Sequence, residues 1–161
     1  MKKILISACL AGDLVRYDGK RKPLTNEWLC RWQQKGLLIN VCPEVSGGLN
    51  TPRLPAEIVN GTGLDVLKGK ARVMDIEGQD VTVFFIKGAE YALSLVKRFG
   101  IEVAILKERS PSCGVNHIYD GRFISTLTPG SGVTGAILRQ NRIKVFSENE
   151  LDQIGALLEG R

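Results

Sequence analysis

The chain has 161 residues, 43% of them apolar and 24% charged, with a formal net charge of +5. That length suits one domain on a single core, and no apolar run approaches the ~20 residues a membrane helix needs. The positive charges are scattered apart from residues 20–22, without interleaved aromatics, so neither a membrane nor a nucleic acid is indicated as partner.

The N-terminal stretch MKKILISACLAG has lysines followed by an apolar run, but the run stops at Gly12. It is too short for a signal peptide and reads as the first buried strand of a cytoplasmic protein. LTNEWLCRWQQKG predicts a helix, with Leu24, Trp28 and Trp32 on its buried stripe and Gly36 as its stop. LLINV is a second buried strand. CPEVSGGLNTPRLPAEI is rich in Pro and Gly and reads as a long loop. GKARVMDIEGQDVT suggests a hairpin turning near Glu77-Gly78.

A long helix is predicted over residues 81–99, with Phe85, Ala89, Ala92, Val96 and Phe99 facing the core and Gly100 capping the end. IEVAILK is a third buried strand, and the polar turn SPSCG follows it. HIYDGRFI reads as a hairpin around Asp120-Gly121. GVTGAILRQN is a short helix and IKVFS a fourth strand. A last helix opens on a capping box between Ser147 and Glu150. Short apolar strands alternate with helices, which predicts one α/β domain over residues 1–161: a three-layer sandwich with a mostly parallel central sheet and additional short hairpins.

This reading sets three of the four cysteines beside strand ends. Cys9 follows the first strand, Cys42 the second and Cys113 the third. The C-terminal ends of parallel strands open on one edge, where such folds bind ligands. Cys30 falls on the far side of its helix from the tryptophan stripe, outside any such cluster. No pair has Cys-x-x-Cys spacing, so the cysteines are expected to be free, catalytic or metal-bound rather than disulfide-bonded. In CPE, an extended Cys42-Pro43-Glu44 would place the acid on the same side as the thiol. Three thiols admit zinc, with His117 as a fourth ligand, an iron–sulfur cluster, or a metal-free catalytic thiol.

The motifs SACLAG, VRYDG, VCPEVSGGLNTPRLPAEI, GQDVT, LKERSPSCG and IYDGRF span almost the whole chain. In them the sequence resembles the bacterial family catalogued as domain of unknown function 523, associated with thiouracil desulfidases. The resemblance implies a [4Fe-4S] cluster held by only three cysteines, Cys9, Cys42 and Cys113, whose fourth iron is open to the substrate's sulfur. It implies a catalytic glutamate, Glu44, and a catalytic serine in the SPSC turn, Ser110 or its competitor Ser112. The implied reaction is non-redox hydrolytic desulfuration of a thiolated pyrimidine of the 4-thiouracil type. With no second domain after Arg161, a free base or nucleotide is expected as substrate rather than a thiolated RNA. Gly47 and Gly48 are expected to offer backbone N–H groups to the ring. Arg53 is expected to meet a phosphate, with Arg16 and Lys107 as weaker alternatives. A redox or iron sensor and a zinc-stabilised binding module are the rival readings.

Overall fold

The structure, a computed structural model, describes residues 2–12 and 26–160. Leu24, Arg16 and the VRYDG motif lie outside the described residues. Four parallel strands form the central sheet in the order β2-β1-β5-β8: β1 (Ile4–Ser7), β2 (Leu38–Val41), β5 (Val103–Leu106) and β8 (Lys144–Ser147). The middle strands, ILIS and VAIL, are buried at every residue, as strands covered by helices on both faces must be.

Alternation divides their side chains between two cores. Leu5, Ala104 and Leu106 face α4 (Thr82–Phe99) and α5 (Val133–Gln140), meeting Ala92, Leu95, Val96 and Leu138. Ile4, Ile6, Val103 and Ile105 face α1 (Glu27–Gln34) and α6 (Leu151–Glu159), where Leu29, Trp32, Leu151 and Ile154 pack. The expected three-layer α/β architecture is the one observed. Among the described residues no helix is long and apolar enough to cross a membrane.

Several elements depart from their predicted form. The stretch read as a long loop contains a helical turn, α2 (Pro43–Ser46), and a strand, β3 (Ala56–Val59). Proline at the first helical position suits α2, and the extended Cys42 caps it (φ −117°, ψ 100°). β3 pairs antiparallel with β4 (Arg72–Asp75) across a short helix, α3 (Gly63–Leu67), which opens on a Thr62–Asp65 capping box. The predicted hairpin therefore keeps its turn at Gly78 (φ +81°), but its main partner strand lies upstream. The second hairpin pairs β6 (His117–Tyr119) with β7 (Leu127–Pro129) across a loop longer than the two residues expected. On α4, Phe85, Ala89, Ala92 and Val96 are buried as expected, whereas Phe99, the last residue of the helix, is 38% exposed with the Arg98 guanidinium over its ring. On α1, the buried residues are Leu29 and Trp32, while Trp28 stacks on Trp32 half-buried. The Ser147–Glu150 capping box forms.

α2 lies directly on α4, backbone against backbone. A Cβ at Gly47 would overlap the Phe84 carbonyl, and one at Gly88 would overlap the Pro43 carbonyl. Both glycines are therefore packing residues that seat the turn carrying Cys42 and Glu44. Gly88→Ala should destabilise the fold by about 1–3 kcal/mol, the usual range for overpacking. It should appear as a lower denaturant midpoint at unchanged slope.

Candidate active site

β1, β2 and β5 end on one row. Ser7 lies opposite Val41, and the register of Ile6 with Ile105 brings Leu106 beside Ser7. The three cysteines come just past that row: Cys9 in a 3-10 turn after β1, Cys42 capping α2 after β2, and Cys113 in the turn after β5. All three border one cleft of about 500 Å³, together with Glu44, Arg53 and Ser110, a volume within the range of small-molecule sites.

The thiols feel one another. Burial pushes the Cys113 thiol far up; the Ser7 hydroxyl, hydrogen-bonded to its sulfur, opposes this, and Cys42, Cys9 and Glu44 add to the rise by repulsion. Ser7 also accepts the Lys107 N–H at 2.9 Å, so its own proton is directed to the sulfur. Burial likewise raises Cys42, against the Val45 N–H. Glu44 is raised by burial, against Arg53, whose Nε donates to Glu44 Oε1 at 3.4 Å. Arg53 Nη1 donates in turn to the Asn50 carbonyl (3.1 Å) and Thr51 Oγ1 (3.0 Å), and its side chain is only 7% exposed. Glu44 does not reach the cleft along an extended chain, as the sequence suggested, but from the first turn of α2.

The two serines of SPSC part company. Ser110 lines the cleft and accepts the N–H groups of Ser112 (3.1 Å) and Cys113 (3.0 Å). With both acceptor sites engaged, its hydroxyl acts as a donor. Ser112 is fully buried and meets Thr134 Oγ1 at 3.0 Å, facing α5. Gly47 and Gly48 donate to the Pro43 and Val45 carbonyls and do not border the cleft. Lys107 lines it, but its Nζ is held by Glu148 Oε2 (3.1 Å) and the Glu108 carbonyl (2.9 Å). Cys30 is exposed on α1 and His117 is exposed on β6, both away from the cleft. The Cys₃His set that zinc would need is therefore not assembled. Among the described residues no three His, Cys, Asp or Glu donors gather closely enough for a single metal ion. Three thiols around one opening instead suit a body with several metal corners, and all-thiolate donors suit an iron–sulfur cluster.

A family model for 2-thiouracil desulfurase matches residues 4–150. The chain belongs to that family. It is similar to the Bacillus subtilis (strain 168) protein YbbK, described as uncharacterized, at 44% identity over 151 residues, covering 94% of this chain and 99% of the relative. It is also similar to the solved structure of a [4Fe-4S]-dependent thiouracil desulfidase, TudS, at 43% identity and a TM-score of 0.90 over the full length of both chains.

In this desulfurase-family site the sequence reading missed the residue that shapes the Cys113 turn. Glu108, 8% exposed, directs Oε1 at the N–H groups of Val115 and Asn116 (both 2.8 Å), His117 (3.1 Å) and Arg109 (3.3 Å). From the other side, the first N–H groups of α5 reach the turn's carbonyls: Gly132 to Gly114, Val133 to Pro111 and Thr134 to Ser112, each at 2.9 Å. The only trace of Glu108 in the sequence is an acid directly after an apolar strand. Burial pushes its carboxyl up, but the N–H groups of His117, Asn116, Val115 and Arg109 outweigh that and hold it below the usual 4.5. A lowered folded value means that its stabilisation is fully present above pH 4.5 and is lost as pH falls through the lower value. Glu108→Gln should thus be less stable than wild type at neutral pH. The gap should close below pH 4.5, as read by denaturation midpoints across that range.

Proposed function

We propose that this chain hydrolytically exchanges the thiocarbonyl sulfur of a thiolated pyrimidine of the 4-thiouracil type for oxygen, with a [4Fe-4S] cluster held by Cys9, Cys42 and Cys113. The observation that carries this reading is the meeting of three buried or half-buried thiols with a base, Glu44, in one cleft at the sheet edge. When bound, the cluster supplies an iron without a protein ligand, a Lewis acid toward the thiocarbonyl sulfur. The net change, thiocarbonyl and water giving carbonyl and hydrogen sulfide, needs neither oxidant nor reductant.

The chain's own residues supply the proton chemistry. Glu44 takes the proton from the attacking water. Arg53 holds Oε1, which assigns the proton to Oε2. Burial raises Glu44 and makes it a stronger base than a free carboxylate. Ser110, a donor by its own hydrogen bonds, orients the water or the substrate's carbonyl oxygen. Arg53 thereby serves the base rather than a phosphate, and the family's serine is assigned to Ser110 because Ser112 is sealed against Thr134. A free base or its nucleotide is the substrate class.

Anaerobic purification with iron and sulfide analysis, followed by uracil release from 4-thiouracil, tests the reading. Glu44→Ala should keep wild-type iron content and lose about 10²- to 10⁴-fold in rate. Ser substitution of Cys9, Cys42 or Cys113 should deplete iron, while Cys30→Ser should retain it. Protein that holds zinc and takes up no iron on anaerobic reconstitution would sink the cluster assignment.

A further inference from the structure

Glu57 on β3 is 9% exposed and borders the cleft, yet the proton chemistry does not use it. Its Oε1 accepts the N–H groups of Gly121 (2.9 Å) and Phe123 (3.2 Å), both in the loop over residues 120–126. One buried carboxylate thus fastens that loop to the β3-β4 hairpin. The loop is bent to meet it. Gly121 has φ +93° and passes so close to Ile58 that a Cβ would stand 2.6 Å from the carbonyl oxygen. Phe123 (φ +57°) and Ser125 (φ +60°) are both left-handed, a conformation that a bulky side chain rarely adopts and that concentrates at functional sites.

The bend brings Phe123 to the cleft wall, which Tyr119 also lines. Core packing does not account for this. Phe123 belongs to none of the three apolar clusters and is only half-buried. An aromatic side chain whose backbone is pinned at the wall of a cleft for a planar heterocycle is suited to stacking, which recognises a ring's π-face rather than its hydrogen-bonding edge.

We propose that Phe123 is the stacking surface for the substrate's pyrimidine ring and that Glu57 is the positioning residue that holds Phe123 in place. This rests on the desulfuration reading above. Steady-state kinetics with 4-thiouracil, uracil binding by calorimetry and iron content, all on the cluster-loaded protein, test it. Phe123→Ala should raise both the KM for 4-thiouracil and the Kd for uracil about tenfold, with iron per chain unchanged. Phe123→Tyr should restore both constants, and Phe123→Leu should not. Glu57→Gln keeps an acceptor for the two N–H groups and should stay near wild type, whereas Glu57→Ala should follow Phe123→Ala. A wild-type Kd in Phe123→Ala, or full rescue by leucine, would overturn the stacking role and leave the desulfuration reading standing. Iron-loaded wild type that neither converts 4-thiouracil nor binds uracil would overturn that reading and the stacking role with it.

Discussion

The parallel register of β1, β2 and β5 is the constraint on which the site depends. Because Ser7, Val41 and Leu106 end on one row, three turns distant in sequence leave the sheet at the same edge and in the same direction. A slip of one residue would reverse the faces of a strand and send its Ile and Leu side chains out of their cores. The hydrophobic alternation that holds Ile4 and Ile6 toward α1, and Leu5 toward α4, therefore also aligns the thiols. Core packing and site geometry are one arrangement here, not two.

Three carboxylates at low exposure carry three separate duties around the cleft. Glu44 faces an arginine, Glu108 a fan of backbone N–H groups, and Glu57 two more from the loop over residues 120–126. Among the described residues only Glu44 of the three has a cationic side chain for a partner. Glu108, satisfied by fixed amide dipoles, is stabilised as the anion and becomes a structural post. A carboxylate that is buried with less complete compensation is left with basicity to use. The contrast between Glu108, pulled below its ordinary value, and Glu44, pushed above its own, follows from that difference in partners.

The sequence shows the architecture most clearly where burial is two-sided. β5 is a continuous apolar run, β1 is one up to its closing Ser7, and α4 carries its stripe in plain view, so the sheet edge and its three cysteines were legible from spacing. α2 was hidden because Pro and Gly composition reads as loop, while Pro43 actually opens a helical turn and Gly47 closes it against α4. β3 was hidden because its partner lies beyond an intervening helix. The choice between Ser110 and Ser112 had no local signal. Thr134, which takes Ser112 out of the cleft, is 22 residues away. Glu57 and Phe123 are coupled across 66 residues, a separation at which no periodicity or motif connects them. Family resemblance supplied the proposed roles of the thiols and of Glu44, which chemistry alone left open among zinc, iron and a bare nucleophile.

The clasp between α5 and the Cys113 turn has a bearing on synthesis. The carbonyls of Pro111, Ser112 and Gly114 are closed by N–H groups from residues 132–134, and the Glu108 N–H is closed by Glu148. The third thiol is therefore seated by chain that a ribosome makes after it. A nascent chain ending short of α5 lacks the N–H groups that close the carbonyls of that turn. The Cys113 turn can therefore take its folded form only after α5 and the residue 148 region have been made.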